Sequence, residues 1–567
     1  MHRLVLKNVG PIRDCQIDIT QFNVFTGAQA SGKSTVAKSI FFFRTIKDDI
    51  CDCIIKRTTI SHSSTLHKIV LKQLRNKFLQ LFGTSRAMSS DLLMIYYYDN
   101  STYIKISLTM NEGVDYIYPN YVYFDFSQNI KKFLSDYNSI DLSEQIDLKY
   151  EISEKLNDLF CDEFETIFIP AGRSLITLLT NQLNYIFTSM DEDQKRGIDF
   201  GTQKYVERIL KIRPLFNNGV AGFLDSKHLP SSKKCVELSR KAIKLVDEIL
   251  KGNYVFANGE ERLVLKSNRY VKINYTSSGQ QETVWIFNIL LYQLINDTKT
   301  FIILEEPEAH LYPDAQKKIT ELLALFLTNG NSILITTHSP YILGTINNLI
   351  FAKELSKKAN ETEVQHIIDK CKQVDNCSAY FVENGTIRSC VNEDDSLIQN
   401  EVIDGASQVI NDDFNALFNL LPEVNTDAFN NVSSHCDLKC AVIVSKENKK
   451  THRALNNDRN TVYQYKIDGE VIPKNNQSKR CDYLVENEDK KVAYVIELKG
   501  TDLPHALEQI EETIQLFSQL FTQNHYKILP RIVYGSNTHA VNDTRYRNFL
   551  KKYPKAKIQS NIIEETI

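Results

Sequence analysis

Short apolar runs followed by polar side chains recur along the chain. In the clearest of them, Phe301–Leu304, four apolar residues directly precede two adjacent carboxylates, Glu305 and Glu306. Such a run is typical of a fully buried strand in a parallel sheet. Residues 332–336 form a similar run that leads to His338. The pattern predicts strands that end in reactive side chains, although a core strand with a solvated turn would look the same.

Between these runs the apolar spacing changes to that of amphipathic helices. The helical stretches are 64–82, 128–160, 176–190, 202–213 and 232–251. Further strands are predicted at 2–8, 14–25, 91–99, 102–110, 166–170, 261–268 and 269–275. No heptad repeat is sustained over many turns, so a long coiled coil is not expected. The alternation predicts an α/β fold.

A glycine-rich loop follows the strand that ends at Phe25. Gly27, four further residues and then Gly32, Lys33 and Ser34 fit the phosphate-loop pattern. The glycines let backbone N–H groups turn towards phosphate oxygens, and the following helix points its positive end at the anion. Lys33 adds a cation, and the hydroxyl of Ser34 can reach Mg²⁺. The alternative is a plain glycine-rich turn.

Four more candidate residues lie at strand tips or helix starts. Arg173 follows the strand at 166–170 and is either a surface arginine or a phosphate contact. Ser278 and Gly279 open an amphipathic helix, where they can cap the helix or bind an anion. His338 can be a satisfied polar group. Because open α/β sheets bind ligands at such places, we expect these residues to share one site.

Composition narrows the class of protein. The chain has 567 residues, 42% of them hydrophobic and 24% charged, which predicts a globular protein of at least two domains. The net charge of −3 gives no global attraction to nucleic acid. The chain shows neither a signal peptide nor an apolar run of membrane-spanning length. Its eleven cysteines lack paired metal spacing, so we expect reduced thiols in a cytoplasm and no membrane partner.

A second group of candidate residues follows a predicted domain boundary at 421/422. Asp482 lies in one strand-like segment, and Glu497 and Lys499 share a face of the next, with which the first forms a hairpin. Two carboxylates that hold Mg²⁺, beside a lysine, suit phosphodiester hydrolysis. The alternative is an exposed cross-strand ion pair with no catalytic role. The apolar residues at 494–496 make such an exposed pair less suited to this strand.

A basic tract near the end of the chain has aromatic residues among its charges. The tract consists of Arg545, Arg547, Lys551, Lys552, Lys555 and Lys557, with Tyr546, Phe549 and Tyr553 between them. This pattern suits contact with a phosphate backbone, but it is also that of a solvated helix face.

The motifs of residues 1–421 resemble the ABC-type ATPases of the SMC and OLD group, which include ATPase subunits of bacterial anti-phage systems; the stretch at about 45–162 reads as an insertion. GAQASGKST resembles the Walker A loop, SSGQQ the signature motif, ILEEP the Walker B strand, TTHSP the switch segment and IPAGRS a strand-tip segment of the same group. The resemblance implies ATP and Mg²⁺ as cofactors. The implied nucleotide-binding residues are Gly27, Ser31, Gly32, Lys33, Ser34, Thr35, Arg173, Ser278 and Gly279.

The resemblance also implies individual roles. Glu305 would hold Mg²⁺ together with Ser34, Glu306 would be the catalytic carboxylate and His338 the switch histidine. Two heads would dimerise, with Ser278 contacting the γ-phosphate held by the opposite head. Two departures stand out: the Walker B motif has Glu-Glu in place of Asp-Glu, and Gln280 replaces the second signature glycine.

The segment CDYLVENEDKKVAYVIELKG resembles the PD-(D/E)xK restriction-endonuclease-like fold. Asp482, Glu497 and Lys499 match its motif, and Gln509 lies where many members place a glutamine. The tyrosine that often follows is absent, with Thr513 near its place, and no residue matches the acid that the first helix often supplies. The expected organisation is therefore an ATPase domain, 1–421, followed by a smaller nuclease domain, 422–567.

Together these features predict an ATP-dependent or ATP-regulated, Mg²⁺-dependent nuclease. DNA in anti-phage or anti-plasmid defence is the expected target, and a homodimer or higher oligomer joined through the ATPase heads is the expected assembly. Two alternatives stay open. The chain could be an ATPase scaffold whose degenerate nuclease-like domain recruits a separate effector protein, or a DNA-repair ATPase-nuclease.

Overall fold

The computed structural model describes most of the chain, in two compact units, 1–410 and 411–567. The described residues are 2–59, 65–109, 121–139, 148–178, 199–226, 232–267, 269–358, 361–392, 396–399, 401–403, 439–473, 479–499, 502–523, 525–535 and 544–567. The domain boundary predicted at 421/422 lies outside them, as does most of the helix predicted at 176–190.

The first unit is built on an eleven-stranded sheet and a smaller three-stranded one. Its strands are β1 His2–Val9, β2 Ile12–Ile19, β3 Phe22–Thr26, β4 Leu93–Tyr97, β5 Tyr103–Thr109, β6 Tyr121–Phe126, β7 Glu165–Ile169, β8 Asn253–Ala257, β9 Glu260–Val264, β10 Tyr270–Lys272, β11 Thr300–Glu305, β12 Ser332–Thr336, β13 Ser378–Glu383 and β14 Thr386–Ser389. The large sheet has the order β6-β5-β4-β1-β2-β14-β13-β3-β12-β11-β7, and β10-β9-β8 form the small one.

The first unit also contains helices. They are α1 Lys33–Arg44, α2 Ile46–Thr59, α3 Leu66–Phe82, α4 Gln128–Ser139, α5 Leu148–Leu159, α6 Phe200–Ile212, α7 Gly219–Asp225, α8 Lys233–Leu250, α9 Ser278–Asn296, α10 Pro313–Thr328, α11 Pro340–Lys358 and α12 Glu361–Ile367. Ile302 and Leu304 of β11 pack into one buried cluster, whereas Phe301 and Ile303 pack into another on the opposite face. The apolar run therefore reflects burial on both faces of the sheet.

The region expected as a helical insertion, about 45–162, contains helices together with the two strands predicted at 91–99 and 102–110, which are β4 and β5. With β6, which was not predicted, these strands extend the main sheet as an antiparallel arm beside β1. The reason lies in the period-two alternation of these strands, which buries Ile104 and Ile106 in the same cluster as α1 and α3. The segment is part of the first unit's core.

The second unit contains two sheets. Its strands are β15 Val442–Glu447, β16 Lys450–Leu455, β17 Val462–Lys466, β18 Tyr483–Asn487, β19 Val492–Leu498, β20 Lys527–Tyr534, β21 Lys557–Ser560 and β22 Ile562–Thr566, and its helices are α13 Leu503–Leu516, α14 Ser518–Gln523 and α15 Thr544–Lys552. The five-stranded sheet has the order β17-β18-β19-β20-β21, and β15-β16-β22 form the other. The predicted hairpin of β18 and β19 is present, and β20 runs parallel to β19.

Candidate functional sites

Four neighbouring parallel strands bring the first group of candidate residues to one edge of the large sheet. β3, β12, β11 and β7 lie side by side and run in the same direction. Their carboxyl ends lead respectively to the glycine loop, to His338, to the paired glutamates and to Arg173. This is the edge at which open α/β sheets bind ligands.

The loop after β3 has a backbone that only glycine accommodates at two positions. Gly27 has φ 135° and Gly32 has φ 111°, both in the left-handed half of the map. A Cβ at Gly27 would lie 2.2 Å from the carbonyl oxygen of Val382, and one at Gly32 would lie 2.4 Å from Cδ1 of Ile12. No side chain caps α1, whose first turn carries the exposed Ser34. The positive end of the helix is thus available to an anion.

Lys33 is folded back over this loop. Its Nζ donates hydrogen bonds to the carbonyl oxygens of Gly27 (3.1 Å) and Ala28 (2.7 Å) and lies 3.4 Å from Oγ of Ser31. Burial lowers the pKa of Lys33, and the carboxylates of Glu306 and Glu308 partly oppose that effect. A nearly buried ammonium whose hydrogen bonds go to neutral oxygens is suited to receive a phosphate.

The paired glutamates at the end of β11 differ in exposure. Glu305 is 5% exposed, and its Oε2 accepts a hydrogen bond from the Ala171 N–H. Its Oε1 is buried and has no hydrogen-bond partner among the described residues, which fits a carboxylate that serves as a Mg²⁺ ligand. Glu306 is partly exposed, with φ 44°, and its Oε1 lies 3.8 Å from Nε2 of His338. These two side chains therefore face each other at the edge.

Glu308 is a residue of this edge that the sequence analysis missed. Its Oε1 accepts hydrogen bonds from Oγ1 of Thr337 (2.8 Å) and from the His338 N–H (2.7 Å), so it fixes the segment that carries the histidine. Burial raises the pKa of Glu308, and its Oε2 has no partner in the described part of the chain. The signal available in the sequence was its spacing, two residues after Glu306.

Arg173 does not occupy the position expected of a phosphate contact. Its side chain is fully buried, and its guanidinium donates to the carbonyl oxygens of Pro170, Glu282, Glu305 and Glu306. The prediction that Arg173 binds the nucleotide directly is therefore corrected. Its donors are directed at main-chain carbonyls inside the unit, not at the open edge.

The segment that resembles a signature motif begins α9. Ser277 caps the helix, and its backbone N–H and hydroxyl donate to Oε1 of Gln280, which completes a capping box. Nε2 of Gln280 also donates to the Leu250 carbonyl oxygen, which accounts for a glutamine at this position. Ser278 is exposed. A Cβ at Gly279 would lie 2.6 Å from the carbonyl oxygen of His310, so the helix start packs closely on the loop after the glutamates.

A family model described as AAA ATPase domain matches residues 1–343, which is more than half of the chain. The chain belongs to this ATPase family. Comparison with curated proteins gave no significant match.

Several solved structures show low similarity to this chain. One is the Smc head domain with an extended coiled coil bound to the C-terminal domain of ScpA, derived from Pyrococcus furiosus. It is 11% identical with a TM-score of 0.31 and covers 73% of this chain and 100% of that one. The SMC head domain from Thermotoga maritima is 12% identical with a TM-score of 0.29 and covers 68% and 97%. The ADP conformation of MJ1267, an ATP-binding cassette of an ABC transporter, is 14% identical with a TM-score of 0.26 and covers 72% and 98%. TM-scores this low establish no shared function.

The second unit of this AAA family member contains a separate cluster of acids. Asp482 precedes β18 and Glu497 lies near the end of β19; they are 8% and 1% exposed. Oδ2 of Asp482 accepts a hydrogen bond from the Leu498 N–H at 2.6 Å. Burial raises the pKa of both carboxyl groups, and the charge of Asp482 raises the pKa of Glu497 further. The structure thus brings the two predicted acids together.

Lys499 and Gln509 complete this cluster. Nζ of Lys499 lies 3.8 Å from Oε1 of Glu497 and donates a hydrogen bond to Oε1 of Gln509 at 2.6 Å. Nε2 of Gln509 in turn donates to the carbonyl oxygen of Arg480, two residues before Asp482. Gln509 therefore holds the lysine beside the acids. Thr513, found in place of a tyrosine, accepts a hydrogen bond from the Cys481 N–H and is buried.

Glu447 is a third carboxylate near this cluster that the sequence analysis did not find. It ends β15, and its hydrogen bond and negative charge contribute to the raised pKa of Asp482. It comes from a strand, whereas the resembling fold often supplies this acid from its first helix. β15 belongs to a different sheet from Asp482, so no local sequence spacing connects the two.

Whether these residues suit a divalent cation depends on their donor atoms. Among the described residues, no three His, Cys, Asp or Glu side chains are grouped so that they could hold a metal ion by themselves. Mg²⁺, however, commonly takes one or two protein carboxylates and fills its other positions with water and substrate oxygens. Oε2 of Glu497 is buried without a partner in the described part of the chain. The pair fits that manner of binding.

Part of the basic tract is neutralised by acids. Arg545 and Lys552 pair with Glu508 and Glu511 of α13 at 2.9 and 3.0 Å, and Lys557 pairs with Glu565 at 2.8 Å. The tract also divides between α15 and β21 instead of lining one helix.

In the described ranges, no helix is both long and apolar enough to cross a membrane.

Proposed function

We propose that this chain is an ATP-regulated, Mg²⁺-dependent nuclease that cuts DNA in bacterial defence against phage or plasmids. In this proposal the first unit binds and hydrolyses ATP as part of a dimer of ABC-type heads, and the second unit hydrolyses phosphodiester bonds. The observation that carries the nuclease assignment is the buried pair Asp482 and Glu497 beside Lys499. The defence setting is supported by the sequence resemblance.

Membership of the AAA family and the geometry of the carboxyl edge support the ATP half of the proposal. Lys33 and the open start of α1 would hold phosphate oxygens. Ser34 and Glu305 would hold Mg²⁺, which neutralises charge on the phosphates and orients them. Glu306 would orient or deprotonate the attacking water, with His338 facing it across 3.8 Å. The resemblance implies these roles, and the exposure and hydrogen bonding of the side chains support them.

Dimerisation is supported by what surrounds the start of α9. Ser278 is exposed on its own chain. Tyr275, three residues before Ser278, and Tyr312, two residues after the His310 that packs on Gly279, are each 80% exposed. Exposed tyrosines are common anchors of protein interfaces. We propose that a second copy covers this surface, and that Ser278 of one copy reaches the phosphates held by the other.

The chemistry of the second unit follows from its charges. A cation held by Asp482 and Glu497 would polarise a phosphodiester and lower the pKa of a bound water. Lys499, fixed by Gln509, would orient the nucleophile or balance negative charge on the phosphate. A surface ion pair would need neither the burial of Glu497 nor the hydrogen bond that anchors the lysine.

The test is cleavage of circular DNA, linear DNA and RNA by the purified chain with Mg²⁺, in three nucleotide conditions: ATP, a slowly hydrolysed analogue and none. We expect cleavage of DNA that differs between the three conditions and is lost in Lys499→Ala. Identical cleavage in all three would remove ATP control. Biological protection that survives Lys499→Ala but not Lys33→Ala would favour a scaffold that recruits a separate effector, and a requirement for free DNA ends would favour a repair enzyme.

A further inference from the structure

We infer that Arg173 is a positioning residue that couples the helix bearing Ser278 to the paired glutamates, so that engagement of a second copy sets the geometry of hydrolysis. The inference rests on the proposed dimeric ATP site and names the connection inside each copy. Nothing in the sequence of the strand tip indicated it.

The connection consists of hydrogen bonds from one guanidinium to three segments. Arg173 donates to the carbonyl oxygen of Pro170 at the end of β7 (2.5 Å) and to that of Glu282 in α9 (3.0 Å). It also donates to the carbonyl oxygens of Glu305 (2.6 Å) and Glu306 (2.9 Å). The planar fork of an arginine can bridge several acceptors at fixed angles, which the single ammonium of a lysine does not.

Glu282 makes the contact reciprocal. Its Oε2 accepts the backbone N–H of Arg173 at 3.0 Å, and its Oε1 accepts that of Ser174 at 2.9 Å. Glu282 is 2% exposed and follows Ser278 by four residues, one helical turn along α9. Thr177 adds a hydrogen bond from its hydroxyl to the Gln281 carbonyl oxygen. A displacement of the first turn of α9 is therefore passed directly to the segment that begins at Arg173.

On the other side, the hydrogen bonds of Arg173 reach the backbone of the segment that carries the paired glutamates. Glu306 has φ 44°, an uncommon conformation for a residue with a side chain, so its orientation depends on the contacts that fix its main chain. Its carbonyl oxygen is held by Arg173, and its N–H donates to the Thr336 carbonyl oxygen at 2.9 Å. The carbonyl oxygen of Glu306 also accepts a hydrogen bond from the Ala309 N–H at 3.2 Å, so one of the three main-chain hydrogen bonds of Glu306 comes from the residue attached to α9.

Burial argues against a purely space-filling role. A fully buried guanidinium loses its hydration, a cost that an apolar residue of similar volume would not incur. Arg44, by comparison, is also buried and pairs with Asp162 at 2.7 Å, but it lies at the end of α1 next to Thr166, near the opposite end of β7. Arg44 therefore provides a matched control for the loss of a buried arginine in the same unit.

The experiment compares Arg173→Lys with Arg44→Lys in the full chain. We expect Arg173→Lys to lower kcat for ATP hydrolysis by about 100-fold, because small misplacements of a catalytic group cost that much, with KM for ATP changed less than about threefold. Arg44→Lys should lower the thermal midpoint comparably while leaving kcat near that of the wild type. Combining Arg173→Lys with Ser278→Ala should lower kcat by less than the product of the two single effects.

Three results would overturn the inference. Equal losses of kcat in Arg173→Lys and Arg44→Lys would reduce Arg173 to a structural residue, and multiplicative effects with Ser278→Ala would show no coupling. A wild-type chain that forms no ATP-dependent dimer would overturn the proposed function as well, which distinguishes the two failures. If Arg173→Lys does not fold, Glu282→Gln replaces it. This variant keeps the main-chain carbonyl acceptor of residue 282 and one of its two side-chain acceptors. A wild-type kcat in Glu282→Gln would also overturn the inference.

Discussion

At the carboxyl edge of the first unit, burial lowers the pKa of Lys33, whereas at the acid pair of the second unit burial raises the pKa of Asp482 and Glu497. In the first site the hydrogen bonds of the buried Lys33 ammonium go to neutral oxygens, and in the second the buried carboxylates lie near one cation, Lys499. The buried ammonium of the first site therefore lacks a negatively charged hydrogen-bond partner, and the buried carboxylates of the second lack sufficient positive charge. A phosphate would supply the first and a divalent cation the second, so the two sites of this chain favour ligands of opposite charge.

The two sites are also assembled differently. The first depends on backbone conformation, since Gly27 and Gly32 adopt φ angles that other residues rarely take. The second depends on strand alternation, which places Glu497 of β19 and Lys499, directly after that strand, on the same face, beside Asp482, which directly precedes β18. Substitutions that remove charge should separate the two activities.

The largest effect is expected from Glu497→Gln. The amide cannot share in holding a cation, so cleavage should fall by at least about 100-fold, while ATP hydrolysis should stay within about twofold of the wild type. Parallel nuclease and ATPase assays on one preparation check this. Cleavage that persists in Glu497→Gln would remove the catalytic role of the pair.

Lys33→Ala should have the reverse effect. Loss of the cation at the phosphate loop should lower ATP hydrolysis by about 100-fold, with divalent-cation binding by the second unit unchanged. Equilibrium binding of a fluorescent ATP analogue, measured beside turnover, separates weaker binding from slower chemistry. Normal ATP turnover in this variant would exclude the glycine loop as the nucleotide site.

Without a divalent cation, stability should fall as the pH rises. Because the pKa values of Asp482 and Glu497 are raised in the folded chain, the folded state binds more protons than the unfolded state above about pH 4, so the free energy of unfolding decreases with pH. Thermal unfolding in EDTA from pH 5 to pH 8 should show this loss of stability. In parallel samples that contain Mn²⁺ in place of EDTA, the loss should be smaller.

Glu486 provides the control for that experiment, because burial also raises its pKa although it does not belong to the pair. Asp482→Asn should make thermal stability less dependent on pH and should also abolish the stabilisation by Mn²⁺. Glu486→Gln should make thermal stability less dependent on pH but leave the stabilisation by Mn²⁺ unchanged. The same Mn²⁺ response in both variants would contradict the assignment.

A smaller effect is expected from Glu308→Gln. The amide keeps an acceptor for the His338 segment but removes a negative charge near Lys33, so kcat for ATP should fall by about tenfold with little change in KM. Steady-state ATPase kinetics measure both constants. A change in KM alone would show that Glu308 acts on nucleotide binding and not on the position of His338.

The smallest effect concerns the basic tract. Arg547 has no acidic partner among the described residues, so Arg547→Gln should weaken DNA binding about two- to threefold and lower the salt dependence by about one ion. Arg545→Gln should change less, because Glu508 already compensates its charge. Binding measured over a series of salt concentrations tests the difference. Equal slopes for both variants and the wild type would exclude the tract from the DNA interface.

Much of the edge and of the acid cluster followed from sequence, because both depend on local rules. Glycine spacing indicated the phosphate loop, and the alternation of Glu497 and Lys499 indicated a shared face. Glu308 and Glu447 were missed, and Arg173 was assigned the wrong role, because their partners are distant in the chain or are main-chain atoms, which spacing does not reveal. The capping box of Ser277 and Gln280 lay within reach of a local pattern, since its residues are three apart.

The claim that the second unit holds a divalent cation between Asp482 and Glu497 is tested most directly by titrating Mn²⁺ into the full chain without nucleotide, by calorimetry in buffers of different ionisation enthalpy. We predict binding that releases protons, because the cation displaces them from carboxyl groups of raised pKa, and that disappears in Asp482→Asn but persists in Glu486→Gln. Binding that is absent from the wild type, or unchanged in Asp482→Asn, would contradict the account.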